Sequence, residues 1–111
     1  MFRNFFSKPA VSEVSAEEAR AKQQAGAVIV DVREPYELRE GYIPGAVHMP
    51  LRSLSPRMKE LDPSKEIVVV CRSGNRSITA VQFLQQGGFT QVSSLAGGMI
   101  GWTRKRFPVQ R

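Results

Sequence analysis

Residues 67–86 read IVVVCRSGNRSITAVQFLQQ and contain the only cysteine of the chain, Cys71. The first four residues are all β-branched, which is typical of a buried strand. A polar loop with one glycine follows, and apolar residues then recur at helical spacing at Ile78, Val81 and Leu84. The pattern predicts that Cys71 lies where a strand ends and a helix begins.

A strand-to-helix junction of this kind is a natural anion site. Backbone N–H groups at a helix start have no partner within the helix, and the helix dipole is positive there. A thiolate is an anion, and it is the nucleophilic form of cysteine. The helix start, Arg72 and Arg76 are all expected to lower the pKa of the Cys71 thiol. Gly74 lets the loop curl so that several N–H groups converge. We therefore predict that Cys71 is a nucleophile, and we keep an inert buried cysteine as the alternative.

The remaining loop residues are predicted to bind the substrate. The two arginines offer charge-assisted hydrogen bonds to a bound dianion. The Ser77 hydroxyl is expected either to cap the helix or to donate to the sulfur. The predicted substrate-binding set is the six residues Arg72, Ser73, Gly74, Asn75, Arg76 and Ser77.

Strand and helix patterns alternate outward from this stretch. Strands are predicted at residues 27–32, 46–49 and 92–95, and helical segments at 16–24, 34–40 and 99–104, with residues 51–61 irregular or helical and interrupted at Pro56. This alternation predicts an α/β fold, a small, mainly parallel sheet with helices on both faces. Ligands bind at the carboxyl ends of the strands in such sheets, and both Asp31 and Cys71 fall at such ends.

Composition limits the classes of function. The chain has 111 residues, 41% of them apolar, which suits one globular domain. Its net charge is +6, but the basic residues are scattered, so no nucleic acid partner is expected. No apolar run reaches the roughly 20 residues of a membrane span, and no signal peptide is evident, so we expect a cytoplasmic protein.

The cysteine and histidine counts limit the chemistry further. One cysteine allows neither an internal disulfide nor a resolving cysteine, so an external acceptor must discharge a modified Cys71. With one histidine, His48, no metal site is expected, and no nucleotide-type glycine loop points to a cofactor. We expect His48 to pack or hydrogen-bond at a strand end rather than act as a base.

Four motifs in order resemble a single-domain rhodanese, a sulfurtransferase of the thiosulfate and persulfide class. They are DVRE at 31–34, GYIPGAVHMP at 41–50, CRSGNRS at 71–77 and LAGGM at 95–99, followed by Trp102. The resemblance covers about residues 11–107, which leaves an N-terminal tail at 1–10 and a C-terminal tail at 108–111. One departure is Tyr42, where the family usually has histidine. That position supports a loop, so we expect little effect on the chemistry.

The resemblance implies a thiosulfate sulfurtransferase type of enzyme with a rhodanese-like fold and no cofactor. Cys71 would take sulfane sulfur from thiosulfate or a persulfide donor, become a persulfide, and pass the sulfur to a thiol or cyanide acceptor. The backbone N–H groups of residues 72–77 would surround the Cys71 sulfur, and we call this loop the cradle. Asp31 and Arg33 would form a framework that supports it.

Other functions remain open at this point. The chain could be a persulfide relay that docks on a protein acceptor, or a rhodanese-fold interaction module without turnover. Cysteine phosphatases and arsenate reductases have five residues between cysteine and arginine, whereas four separate Cys71 from Arg76. The shorter loop leaves less room for a tetrahedral oxyanion and favours sulfur transfer.

Overall fold

A computed structural model describes residues 10–111, so the predicted N-terminal tail lies outside the described residues except for Ala10. The strands are β1 (Glu13–Val14), β2 (Val28–Asp31), β3 (Val47–His48), β4 (Ile67–Val70) and β5 (Val92–Leu95). The α-helices are α1 (Ala16–Gln24), α2 (Leu51–Arg57), α3 (Asn75–Gln86) and α4 (Gly98–Arg104), and 3₁₀ helices cover Pro35–Glu40 and Met58–Glu60. No helix in residues 10–111 has the length and apolar character needed to cross a membrane.

The sheet confirms the predicted fold class. Its strand order is β1-β5-β4-β2-β3, and all four pairings are parallel. One apolar cluster packs α2 and α3 on one face, and a second packs α1 and α4 on the other. The helices therefore lie on both faces, as expected when parallel strands are joined by crossover helices.

Strand β4 is buried throughout between β2 and β5, which explains its uninterrupted apolar sequence. Its side chains alternate between the two clusters: Val68 and Val70 belong to the α1/α4 side, and Ile67 and Val69 to the α2/α3 side. This is the period-2 alternation of a strand. Cys71 continues the alternation and lies on the α2/α3 side, next to the helix that begins after it.

Most predicted elements agree with the structure, and the differences have local causes. Ser15 and Glu18 form a capping box at the start of α1, with Glu18 N donating to Ser15 Oγ at 3.1 Å and Ser15 N donating to Glu18 Oε1 at 2.9 Å. Helix α2 is not interrupted at Pro56 but ends one residue later. A proline so close to the end removes only one helical hydrogen bond. The short edge strand β1 was not predicted.

The C-terminal segment packs against the domain. Tyr42 and Gln110 exchange two backbone hydrogen bonds, of 2.9 and 2.8 Å. The buried indole of Trp102 donates to the Pro108 carbonyl at 2.8 Å. The first contact attaches the last residues to the loop that follows the first 3₁₀ helix, and the second attaches them to α4. The boundaries at residues 11 and 107 stay a prediction.

Candidate active site

Cys71 follows the last residue of β4, and α3 begins at Asn75. The position predicted for the cysteine at a strand-to-helix junction is therefore confirmed. Gly74 precedes the helix with φ +113°, in the left-handed region that a side chain would strain. This turn folds the loop back over the cysteine, which is only 1% exposed.

The Cys71 sulfur is the point on which the loop donors converge. The backbone N–H of Gly74 donates to Sγ at 3.1 Å, and that of Ser77 donates at 3.4 Å. The Ser77 hydroxyl oxygen also lies 3.4 Å from Sγ. Such a ring of donors stabilises negative charge on the sulfur.

Two opposing effects set the pKa of Cys71. Burial raises the pKa, because the thiolate loses its hydration. The hydrogen bonds from the Ser77 hydroxyl and from the N–H groups of Ser77, Gly74 and Ser73 lower it. The donors outweigh burial, so the pKa lies below the ordinary value of a cysteine thiol. Backbone and hydroxyl donors, more than the two arginines, thus account for the lowered pKa.

Ser77 is connected to the interior by further hydrogen bonds. Its Oγ donates to the Gly74 carbonyl at 3.1 Å and lies 2.7 Å from Ser94 Oγ. Both serine side chains are fully buried. When Cys71 is ionised, the single Ser77 proton can turn from the Gly74 carbonyl to the sulfur while Ser94 donates to the Ser77 oxygen. Ser94 was missed because nothing in β5 distinguishes its serines from ordinary strand residues.

The start of α4 supports the loop from the other side. Met99 N donates to the Cys71 carbonyl at 2.9 Å, and Ile100 N donates to the Arg72 carbonyl at 3.1 Å. The loop carbonyls therefore bond to α4, and the loop N–H groups remain available to the sulfur. Gly98, at φ +55°, makes this approach feasible, because a Cβ there would lie 2.5 Å from the Arg72 carbonyl oxygen. The glycine pair Gly97-Gly98 was the sequence signal for this contact.

Arg76 has a partner that the sequence analysis did not anticipate. Its Nη1 and Nη2 donate to the two carboxylate oxygens of Glu37 at 2.6 and 2.8 Å. Glu37 is nearly buried, and its Oε1 also accepts from Glu34 N at 2.9 Å. Because of the Arg76 hydrogen bonds, and despite burial, the pKa of Glu37 falls to about 2. The same pair raises the pKa of Arg76. Arg76 is thus largely occupied by Glu37.

Asp31 and Arg33 form a buried ion pair next to this contact. Arg33 Nη2 donates to Asp31 Oδ2 at 2.7 Å, and both side chains are almost inaccessible to water. Arg33 also donates to the carbonyls of Gly41 at 2.9 Å and Glu37 at 3.3 Å. His48 Nε2 lies 2.7 Å from the Arg33 carbonyl oxygen, in keeping with a hydrogen-bonding role. This geometry is that of a framework and not of a substrate contact.

The other predicted loop residues face solvent. Arg72, Ser73 and Asn75 have exposed side chains. Two clefts, of about 140 and 270 Å³, adjoin the loop, and both are lined by Arg72 and Glu40. Residues 10–111 contain no group of His, Cys, Asp and Glu side chains arranged to hold a metal ion.

A family model for the rhodanese-like domain matches residues 15–105. The chain is 36% identical over 101 residues to a sulfurtransferase of Allochromatium vinosum, covering 89% of this chain and 94% of that protein. It is 39% identical to the thiosulfate sulfurtransferase GlpE of Pseudomonas syringae, over 86% of this chain and 89% of the relative.

Solved structures agree with the sequence relatives. A rhodanese-related protein from Thermoplasma volcanium superposes with a TM-score of 0.83 at 33% identity, over 89% of this chain and 97% of that one. The chain belongs to the rhodanese-like domain family, and the two sequence relatives described above are named sulfurtransferases.

Proposed function

We propose that this protein transfers sulfane sulfur from thiosulfate or a persulfide donor to a thiol or cyanide acceptor through a persulfide on Cys71. The observation that carries the proposal is the set of donors around Sγ, the N–H groups of Gly74 at 3.1 Å and Ser77 at 3.4 Å together with the Ser77 hydroxyl. A thiolate and a persulfide both place negative charge in this region, and both benefit from the same donors.

The first half of the reaction loads the enzyme. The Cys71 thiolate attacks the outer sulfur of thiosulfate, and a new S–S bond forms as the sulfur–sulfur bond of thiosulfate breaks. Sulfite leaves with the electron pair of that bond. The lowered pKa of Cys71 keeps more of the thiol in the nucleophilic form at neutral pH.

The second half discharges the enzyme. An acceptor thiolate or cyanide attacks the terminal sulfur of the persulfide, and the electron pair of the broken S–S bond returns to Cys71. The product is a persulfide or thiocyanate. No external oxidant or reductant is needed, which fits a chain with one cysteine.

Intact-mass spectrometry tests the proposal. Wild-type protein incubated with thiosulfate, glutathione persulfide or cysteine persulfide should gain the mass of one sulfur atom and lose it when cyanide is added. Cys71→Ser should gain nothing while keeping the circular dichroism of the wild type. A wild-type protein that stays unmodified with all three donors would refute the proposal.

The contacts of Arg76 argue against the phosphatase and arsenate reductase alternatives. A phosphate or arsenate must lie within the loop with the Arg76 guanidinium on its oxygens, but Nη1 and Nη2 are occupied by Glu37, whereas thiosulfate needs only to bring its outer sulfur to Cys71. Four residues between cysteine and arginine also make the loop short for such a substrate. We expect no turnover of an aryl phosphate, and robust turnover would favour the alternative.

A further inference from the structure

The two clefts beside the cradle share a pair of charges. Arg72 directly follows Cys71 in the chain, and Glu40 is the last residue of the 3₁₀ helix Pro35–Glu40. Both side chains line both clefts. A small molecule bound in either cleft therefore meets one cation and one anion.

The other charges that line the clefts are already compensated. Arg33 is paired with the buried Asp31, and Glu37 is paired with Arg76. Arg72 and Glu40, by contrast, are exposed, and neither forms an ion pair with a residue in the described range 10–111. These two groups are thus available to a ligand.

The pair fits the head group of an amino acid. A guanidinium binds a carboxylate through two parallel hydrogen bonds, and a carboxylate accepts hydrogen bonds from an ammonium. An inorganic dianion can use Arg72 but offers no donor to Glu40, so it matches only half of the pair. The clefts, at about 140 and 270 Å³, are below the roughly 300 Å³ at which pockets for drug-sized ligands begin. Their size suits a small amino acid.

We propose that these clefts bind a zwitterionic aminothiol acceptor, with its carboxylate at Arg72, its ammonium at Glu40 and its thiol directed at the sulfur on Cys71. The inference rests on the proposed sulfur transfer and names the acceptor class for its second half. Glu40 is then a specificity-determining residue that acts after the enzyme is loaded. Tyr36, 68% exposed, adds an aromatic wall and a hydroxyl to the larger cleft.

The test separates loading from discharge. Protein is first loaded with thiosulfate, and loading is verified by intact mass. Discharge is then timed with cysteine, with cysteamine, which lacks the carboxylate, with 3-mercaptopropionate, which lacks the amine, and with cyanide. Each variant is compared with wild type for each acceptor, so that differences in the acceptors' own reactivity cancel.

Glu40→Gln should slow discharge to cysteine and cysteamine about 3- to 5-fold relative to 3-mercaptopropionate, a size typical of exposed charge pairs. Arg72→Gln should slow discharge to cysteine and 3-mercaptopropionate relative to cysteamine by a similar factor. Glu13→Gln removes the same charge from an exposed site on β1, at the other edge of the sheet, and should show no acceptor preference.

Two outcomes would overturn the inference and leave sulfur transfer intact. In one, Glu40→Gln loads normally and slows discharge to all four acceptors equally. In the other, Glu40→Gln loads normally and discharges to all four acceptors at the wild-type rate. Absence of loading with every donor would be seen before any acceptor is added. That result would refute the proposed function, and the inference that rests on it would fall as well.

Discussion

The loop at residues 71–77 and the segment at residues 31–41 begin at the carboxyl ends of the neighbouring strands β4 and β2, yet they use polar groups in opposite ways. In the segment, charges are compensated: the buried Arg33 faces Asp31, and the nearly buried Glu37 faces the partly exposed Arg76. In the loop, the N–H groups of Gly74 and Ser77 and the Ser77 hydroxyl converge on one sulfur.

This difference separates a framework from a reactive site. A compensated network holds the backbone in place but has no capacity left for a ligand. The loop keeps that capacity, because the backbone N–H groups of Gly74 and Ser77 donate to the group that reacts. Arg76 lies in the loop, but its side chain is part of the framework, because it donates two hydrogen bonds to Glu37 in the 3₁₀ helix.

The largest effect is expected from breaking the framework at Asp31. Asp31→Asn removes the countercharge of Arg33, which is buried and cannot move to water. Loss of one partner of a buried ion pair costs about 3–5 kcal/mol in the free energy of unfolding. Urea denaturation measures the loss. Glu66→Gln, which breaks the partly exposed pair with Lys22, should cost less than about 1 kcal/mol. Similar losses for both variants would contradict a framework role.

A substitution at Gly98 should disturb the loop from the α4 side. Gly98→Ala places a Cβ 2.5 Å from the Arg72 carbonyl oxygen at φ +55°, and overpacking with backbone strain costs about 3 kcal/mol. The shifted loop should also lower sulfur transfer about 10-fold or more. Gly88→Ala is the control, because Gly88 has φ +95° but open space around its Cβ. It should lose stability through strain alone and keep its activity; equal activity losses would show that the α4 contact does not matter.

Features that depend on neighbouring residues in the chain could be predicted from the sequence. The β-branched run predicted β4, the spacing of Ile78, Val81 and Leu84 predicted α3, and the glycine in the loop predicted a turn around Cys71. Each of these depends on neighbours in the chain, so a single sequence contains the information.

Partners distant in sequence could not be predicted in the same way. Glu37 and Arg76 are 39 residues apart, and Ser77 and Ser94 are 17 apart. Which carboxylate or hydroxyl meets which donor depends on how β2, β4 and β5 are ordered in the sheet. The edge strand β1 is two residues long, too short to show an alternating pattern.

The ion pair between Glu37 and Arg76, which joins the segment at 31–41 to the loop at 71–77, should weaken in acid. The pKa of Glu37 is lowered from its ordinary 4.5 to about 2, so its contribution to stability is complete above pH 4.5 and is lost as the pH falls towards 2. The full shift corresponds to about 3 kcal/mol, and the partial exposure of Arg76 reduces this to about 2 kcal/mol.

Glu37→Gln tests this dependence by chemical denaturation at several pH values. At pH 6 the variant should be less stable than wild type by about 2 kcal/mol, and this difference in the free energy of unfolding should narrow steadily as the pH approaches 2. A gap that stays constant with pH would exclude ionisation of Glu37 as its cause.

The smallest effect is expected inside the loop itself, where one hydroxyl is removed from the sulfur. Ser77→Ala deletes a donor to the Cys71 thiolate, so the pKa of Cys71 should rise by about 0.5–1 unit, the equivalent of one net hydrogen bond of about 1 kcal/mol. The rate of alkylation by iodoacetamide as a function of pH reports this pKa. Ser94→Ala removes an equally buried hydroxyl that contacts Ser77 but not the sulfur, and it should shift the pKa less. If both variants shift the pKa of Cys71 equally, the Ser77 and Ser94 hydroxyls act on the sulfur as one unit. The distinction between a donor to the sulfur and a supporting residue would then not hold within the loop.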